Sequence, residues 1–339
     1  MHTEFTPVAR KLLLSILILG GMLIISSSLG LGFGSTGSML GSLGEVFFRP
    51  QEADQVAAAI IKEIRLPRVV LAAAVGGTLA LGGLVFQALL RNPLAEPYIL
   101  GISGGSAVGA ILGMFAGLAA FPGVSMSAFA GSMLTLGLVL ILAGGRSPLR
   151  RDSLILGGVM MNAFFGAMIM FLISLSQDAQ MRSILFWLMG DLSMISPQQL
   201  PVLLMVLLMV LPGMAVILVL ARPMNLLLMG RDTAASMGVN VRLVTLALLV
   251  FTSLMVSVAV SQSGLIGFVG LAVPHIFRLI LGPDHRLLIP ACLLGGASYL
   301  ILCDLLARTL PPEGEMPVGV VTALIGAPLF IYLLWRSRR

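Results

Sequence analysis

One sequence pattern is typical of a nucleophilic enzyme. The pentapeptide Gly101-Ile102-Ser103-Gly104-Gly105 matches Gly-x-Ser-x-Gly. In an intramembrane serine protease, Ser103 would be the nucleophile and His275 its general base. Such a nucleophile sits on a turn between a strand and a helix, whereas this segment opens an apolar run of small residues typical of helix packing. Because the chain has 39 glycines, chance matches are easy, and catalysis by Ser103 is the remote alternative.

The residues needed for ATP hydrolysis, metal binding or a disulfide are not spaced correctly. A Walker A loop needs a lysine directly after glycine, but neither Lys11 nor Lys62 follows one. The three histidines are scattered, with no pair at ligand spacing. Cys292 and Cys303 would lie ~16 Å apart on one helix, too far for a disulfide. We therefore expect no catalytic residue, no metal site and no cofactor.

The composition determines the class of protein. Of 339 residues, 58% are hydrophobic and only 10% are charged, whereas soluble domains have roughly 45–50% apolar and about 25% charged residues. A soluble enzyme, a secreted disulfide scaffold and a disordered chain are therefore excluded, and the chain is predicted to be an integral membrane protein. Basic residues form no block beyond Arg336–Arg339, so nucleic acid is not an expected partner.

Long runs without Asp, Glu, Lys or Arg predict the membrane-spanning helices, since a span needs about 20 apolar residues. The runs are 12–44, 69–90, 97–145, 153–177, 192–221, 243–277, 287–303 and 316–335. Breaks at Phe121-Pro122-Gly123 and Ser261-Gln262-Ser263-Gly264 divide two of them. The sequence therefore predicts an all-α integral membrane protein with ten transmembrane helices in a single domain, 1–339.

The distribution of Lys and Arg predicts the orientation. With ten spans, fourteen basic residues fall on the side of the termini and six on the other, whereas nine spans would place ten on each side. Ten spans with cytoplasmic N- and C-termini are therefore favoured. The first run could instead be a signal peptide, but no small-x-small cleavage site precedes Gly30.

Two outer segments predict short interfacial helices. In the outer loop 32–66, apolar residues recur at helical spacing from Ala53 to Ile64, and Pro67 is expected to end this helix. The segment 178–191 predicts a second such helix. Solvated connectors would be the simpler alternative for both.

The cytoplasmic connection 222–242 predicts a short helix. Asp232 or Thr233 is a candidate N-cap, an alanine-rich turn follows, and Gly238 is a candidate stop. Such a helix suits docking to a soluble partner, although a plain connector could have the same sequence.

One pair of opposite charges lies near the end of an apolar run. Asp304 and Arg308 are four positions apart and could neutralise each other on a helix. Asp304 could also be the proton-coupling carboxylate of an ion-coupled secondary transporter. Such a transporter usually carries more intramembrane ionisable groups, so the shortage here favours an energy source outside the chain.

From Arg65 to Trp335 the sequence resembles the iron-chelate and vitamin B12 permeases, the transmembrane subunits of type II ABC importers. The resemblance rests on several motifs that occur in family order. They are Arg65-Leu66-Pro67-Arg68, Arg91-Asn92-Pro93-Leu94-Ala95-Glu96-Pro97, Leu100-Gly101-Ile102-Ser103-Gly104-Gly105, Arg222-Pro223-Met224-Asn225 with the loop to Gly238, 267–278, Asp284-His285-Arg286 and 317–328.

The resemblance implies an assembly and a cargo. Two copies of the chain would form a homodimer in the bacterial cytoplasmic (inner) membrane, surrounded by lipid, with two ABC ATPase subunits inside and a substrate-binding protein outside. The cargo would be a large metal chelate, namely a ferric siderophore, haem or cobalamin.

The resemblance also implies roles for individual residues. Arg65, Arg68 and Arg308 match positions that receive acidic side chains of the binding protein, and a guanidinium grips carboxylates with two hydrogen bonds. Loop 146–152, with Arg150, Arg151 and Asp152, matches the cytoplasmic gate region. The fifth and tenth spans would line the pathway, with Asn162 and Thr322 as candidates. The ATPase-coupling helix would comprise Arg231, Asp232, Thr233, Ala234, Ala235, Ser236, Met237 and Gly238.

Overall fold

The computed structural model describes residues 7–34, 37–49, 51, 54–143, 151–193, 200–312 and 314–337. Over these residues the regular structure is helical throughout and contains no strand, which confirms the all-α prediction for this part of the chain. The α-helices are α1 (Pro7–Gly32), α2 (Ser42–Phe48), α3 (Gln55–Ala59), α4 (Leu66–Leu90), α5 (Ile102–Phe115), α6 (Ser125–Ala143), α7 (Arg151–Ser174), α8 (Asp178–Met189), α9 (Leu200–Val219), α10 (Ala221–Met229), α11 (Arg231–Ser236), α12 (Val241–Ser263), α13 (Val269–Leu281), α14 (His285–Thr309) and α15 (Val318–Ser337).

Among the described residues, six helices are long and apolar enough to cross a membrane. Val210–Val219 and Ala221–Met229, bent by 54°, make a seventh if they count as one span. Three shorter apolar helices are Ile102–Phe115, Val269–Leu281 and Val318–Leu333. Ten crossings require these three to be spans as well, so the ten-span count stays a prediction.

Both predicted interruptions of the long apolar runs are confirmed. α12 ends at Ser263 and α13 begins at Val269, while α5 ends at Phe115 and α6 begins at Ser125. Between α5 and α6 lies a cis Phe121–Pro122 peptide bond within a π-helical turn. Glycine and proline therefore divide these runs where the sequence predicts.

The prediction that Pro67 ends a separate outer helix is wrong. α3 continues through a π-helical turn, Ile60–Arg65, into α4, and Pro67 lies in the first turn of α4. The Leu66 N–H donates to the carbonyl of Ile61, five residues back. The first turn of a helix tolerates proline, and this wider turn gives its ring further room, so the helix does not break. The second predicted short helix is present as α8, and its location at the outer interface stays a prediction.

α4 lies at the centre of the structure and packs against α12, α13 and α14. Its most extensive contact is with α14, where glycines let the two backbones approach closely. A methyl group on Gly76 would overlap the carbonyl of Gly296. A methyl group on Gly83 would overlap the carbonyl of Gly270 on α13. Small residues at such crossings are how helices associate in lipid, where no hydrophobic effect drives them together.

α5 and α13 are short because each begins beside a non-helical segment, 92–101 and 264–268 respectively. The two segments meet: the Tyr98 hydroxyl donates to the Ile266 carbonyl (2.8 Å) and accepts from the Ile266 N–H (3.2 Å). Irregular backbone at membrane depth is tolerated where protein groups satisfy it. Tyr98 supplies such a partner, so the two broken regions support each other.

Candidate functional site

Two arginines from distant parts of the chain share one buried carboxylate near the C-terminal end of α14. Arg68 Nε lies 2.9 Å from Asp304 Oδ1, and Arg308 Nε lies 3.0 Å from Asp304 Oδ2. Asp304 is fully buried, and burying a charge is costly unless it is paired. The predicted Asp304–Arg308 pair is confirmed. Since two guanidinium groups hold Asp304, the geometry does not favour its use as a proton carrier.

A second carboxylate completes this charge cluster. Glu315, on the connection between α14 and α15, places Oε2 2.5 Å from Arg68 Nη1. Its side chain is 28% exposed, against 1% for Asp304. Glu315 is not among the predicted site residues, because nothing in the sequence pattern shows that residue 315 meets residue 68.

Arg308 and a third arginine, Arg65, also bind backbone carbonyls at and just beyond the C-terminal end of α1. Arg65 donates to the carbonyls of Leu31 (2.9 Å) and Gly37 (3.0 Å), and Arg308 donates to the carbonyl of Gly30 (3.1 Å). Carbonyls at a helix end lack intrahelical donors and are favourable partners for cations.

The three predicted docking arginines are therefore brought together, although each is no more than 6% exposed. With Glu315 and residues of the outer loop they line a pocket of about 110 Å³. The sequence predicts outward-facing groups, whereas here the guanidinium groups already bind acceptors within the chain. Their docking role stays a prediction.

The predicted coupling helix is present as α11. Its first residue is Arg231, so the helix begins before both predicted caps, Asp232 and Thr233. Gly230, with φ 135° and ψ 147°, is the N-cap, so the prediction of Asp232 or Thr233 in that role is wrong. Glycine alone adopts this backbone conformation without strain. The helix therefore starts where glycine permits the sharp turn out of α10.

Gly238 ends α11 as predicted. It has φ +85°, its N–H donates to the Ala235 carbonyl (2.9 Å), and the Val239 N–H donates to the Ala234 carbonyl (3.0 Å). These two bonds form a Schellman motif, which closes the helix with a left-handed residue. Ala234 is buried, while the other residues from Asp232 to Gly238 are exposed, so one face of the helix is free to contact a partner.

α10 fixes α11 to the rest of the protein. The Arg91 guanidinium at the end of α4 donates to the Leu227 carbonyl (2.7 Å). Asn225 donates to Asp284 Oδ1 (2.7 Å) and accepts from the backbone N–H of His285 at the start of α14 (2.9 Å). α10 is thus bonded to the ends of both α4 and α14.

Asp284 has a shifted pKa. Partial burial alone would raise the pKa of this carboxyl. The Arg286 N–H, the Asn225 amide and the Arg286 charge together outweigh burial and lower the pKa below its usual 3.8. Asp284 is therefore held as a carboxylate that caps α14.

The structure describes the side chains of the two pathway candidates but not those of the three gate candidates. Arg150 lies outside the described residues, as do the side chains of Arg151 and Asp152, so the gate assignment stays a prediction. Asn162 is exposed on α7 and donates to the Tyr98 carbonyl (3.3 Å). Thr322 on α15 is fully buried, and its hydroxyl donates to the Gly319 carbonyl (3.0 Å). Of the two pathway candidates, only Asn162 is exposed at the surface of the subunit, where it could line a pathway.

The protease pair is not assembled among the described residues. α5, with Ser103, packs mainly on α6 and α7, whereas α13, with His275, packs on α4, α14 and α15. The His275 ring stacks edge-on against Phe330, with centroids 5.6 Å apart, and no hydrogen bond joins it to Ser103.

Within the part of the chain that the structure covers, no three His, Cys, Asp or Glu residues could hold a metal ion.

The helical fold defines the class of protein, the permease subunit of an ABC transporter, through its similarity to a solved structure. A solved structure described as an inward-facing conformation of a metal-chelate type ABC transporter superposes with a TM-score of 0.83 at 33% identity, covering 95% of this chain and 98% of that one. The PsaBC structure from Streptococcus pneumoniae, at 19% identity and a TM-score of 0.57, shares the fold.

Within that class, the chain belongs to the FecCD transport family, whose model matches residues 22–336. It is 40% identical to the hemin transport system permease protein HmuU of Yersinia pestis over 95% of this chain and 96% of that protein. It is 41% identical to the cobalamin import system permease protein BtuC of Halobacterium salinarum over 83% of this chain and 74% of that protein. The chain is therefore a member of the iron-chelate and vitamin B12 permease family, and the predicted resemblance is confirmed.

Proposed function

We propose that this chain is the transmembrane subunit of an ATP-driven importer for a large metal chelate, which is a ferric siderophore, haem or cobalamin. Family membership supports import, and the relatives named for hemin and cobalamin support a metal–macrocycle or similar chelate. ATP hydrolysis belongs to a separate pair of ABC ATPase subunits, since the chain has no Walker A lysine.

The observation that carries the proposal is the geometry of α11. An exposed six-residue helix is held between two sharp glycine turns, and α10 fixes its base to α4 and α14. A rigidly held protruding helix suits transmission of movement from a soluble ATPase. It would serve an ion-coupled secondary transporter no evident purpose.

The proposed topology has ten crossings with both termini in the cytoplasm of a bacterial inner membrane. The short helices α5, α13 and α15 complete the count. α11 then lies on the cytoplasmic side and the arginine pocket on the outer side, which agrees with the excess of basic residues inside.

The proposed assembly contains two copies of the chain. Two helices leave apolar faces for lipid or for a second copy, since only 17% of the most apolar stretch of α7, and of α1, is buried within the subunit. We assign the exposed face of α7, which includes Asn162, to the pathway between the two copies. The substrate-binding protein docks at the pocket of Arg65, Arg68 and Arg308, and the region of Arg150, Arg151 and Asp152 serves as the inner gate.

The function is tested by uptake into proteoliposomes that contain the permease with its ATPase subunits inside and the binding protein outside. We expect uptake of one of three radiolabelled probes, ferric siderophore, haemin or cyanocobalamin, only with internal ATP. Uptake that persists without ATP and collapses with a protonophore would instead establish a secondary transporter. A matched Ser103→Ala variant should transport normally, since Ser103 has no catalytic role in this proposal.

A further inference from the structure

The two carboxylates that bind Arg68 differ in how easily each could be exchanged. Asp304 lies within α14, is fully buried, and also contacts Arg308. Glu315 lies on the connection that follows α14, is partly exposed, and bonds Arg68 alone among the described arginines. Glu315 is therefore the carboxylate that could leave Arg68 without breaking the buried pair.

Glu315 sits at the rim of the arginine pocket, where a carboxylate arriving from outside would have to bind. The pocket of about 110 Å³ is lined by Arg65, Arg68, Arg308 and Glu315. Exposed Ile64 lies at the same pocket, so the rim is open to solvent. Glu315 already makes the contact that an acidic side chain of a docking protein would make.

Exchange of one carboxylate for another has a low energetic cost. If a partner's carboxylate replaces Glu315, Arg68 keeps two acidic neighbours, and no buried cation is left unpaired. The displaced Glu315 is partly exposed and is readily hydrated. A partly exposed ion pair contributes little to the stability of the protein, so its loss costs little. The exchange therefore needs no compensating change in the core.

Among the described residues, segment 314–317 of the connection, which carries Glu315, makes one backbone bond back to α14. The Met316 N–H donates to the Ala307 carbonyl (3.2 Å), and α15 begins two residues later at Val318. Loss of the Glu315–Arg68 contact would therefore loosen the segment that leads directly into α15.

We infer that Glu315 is an internal substitute for the carboxylate of a docking protein. The partner's acidic side chain competes with Glu315 for Arg68, and its binding releases the connection between α14 and α15. This inference rests on the proposed function, because it requires an acidic binding protein on the outer side.

The test measures docking of the cognate substrate-binding protein to the full transporter in nanodiscs. We expect Glu315→Gln to tighten binding by about threefold to tenfold, since the competitor is removed. Glu315→Asp, which keeps the charge on a shorter side chain, should give an intermediate affinity. The control Glu63→Gln removes another exposed carboxylate from the outer side and should change the affinity by less than about twofold.

Hydrogen exchange of segment 314–317, in which the Met316 N–H is bonded to the Ala307 carbonyl, supplies a second readout that a purely structural ion pair would not give. In the unchanged transporter, docking should speed exchange of this segment, and in Glu315→Gln exchange should be fast before docking. Unchanged or weaker binding by Glu315→Gln, or slower exchange on docking, would overturn the inference.

A separate experiment distinguishes failure of the proposed docking site from failure of the role assigned to Glu315. Binding protein whose surface carboxylates have been amidated with carbodiimide and ethanolamine should lose docking. If the amidated protein docks as tightly as the untreated one, the docking site itself is wrong. If amidation abolishes docking but Glu315→Gln does not tighten it, docking depends on the partner's carboxylates and the role of Glu315 is refuted.

Discussion

Arg68 and Asp304 are 236 residues apart in the chain, yet their Nε and Oδ1 atoms lie 2.9 Å apart and join α4 to α14. Both side chains are almost completely buried. Because Arg308 contacts the same carboxylate, removal of Asp304 leaves two buried cations without their shared counterion.

Asp304→Asn should therefore lower the free energy of unfolding by about 3 kcal/mol. The measurement is thermal or denaturant unfolding of the purified permease in detergent. Glu63→Gln removes an exposed carboxylate from the outer side and is the matched control, with an expected change below about 1 kcal/mol. Equal effects of the two substitutions would contradict the assigned role of the buried pair.

The glycine contacts of α4 give a second prediction. Gly76→Ala and Gly83→Ala each place a methyl group against a backbone carbonyl of a neighbouring helix, and a carbonyl cannot move aside as a flexible side chain can. We expect each to destabilise the protein by about 1–3 kcal/mol. Gly20→Ala and Gly21→Ala on α1 meet nothing within 4 Å and serve as controls. If the Gly76→Ala and Gly83→Ala variants unfold at the same midpoint as the Gly20→Ala and Gly21→Ala controls, the close approach of the helices is refuted.

The Schellman motif of α11 gives a third prediction. Gly238→Pro removes the N–H that bonds Ala235 and cannot adopt the φ of +85°. We expect ATP hydrolysis to continue while transport falls at least about tenfold, measured together in proteoliposomes. Gly238→Asn should retain coupling, because asparagine tolerates the left-handed conformation. Normal transport by Gly238→Pro would show that the end of α11 does not matter for coupling.

Asp284 gives a prediction about pH. Since its pKa is lowered in the folded protein, its contribution to stability is present above its usual pKa of 3.8 and is lost as the pH falls through the lowered value. The stability difference between the unchanged protein and Asp284→Asn should therefore be largest near about pH 6 and shrink toward about pH 3. Asn225→Ala removes one donor to the carboxylate and should move this loss to higher pH. A difference that is constant over this range would contradict the assignment.

The sequence predicts the helical elements well because each apolar run carries its own boundaries. The break after Ser263 and the stop at Gly238 depend on local backbone preferences, which glycine and polar residues reveal directly. Pro67 misled the prediction because the π-helical turn before it, which makes room for the ring, has no recognised sequence signal.

The candidate site is predicted only in part. The motif resemblance identifies Arg65, Arg68 and Arg308, but it does not show that they are buried. Burial depends on Asp304 and Glu315, which meet Arg68 only once α4, α14 and the following connection have packed together. Contacts across more than 200 residues leave no local pattern, so Glu315 could not be found from the sequence.

The bonds of α10 to the ends of α4 and α14 have a mechanical consequence. The two helices are joined at one end through Arg91, Asn225 and Asp284, pressed together at Gly76 and Gly296, and joined at the other end by Arg68 and Asp304. Because the two helices are bonded at both ends and packed closely along their length, we expect them to move as one body. If an ATPase acts on α11, the movement would tilt both helices together and would displace the arginine pocket at their far end.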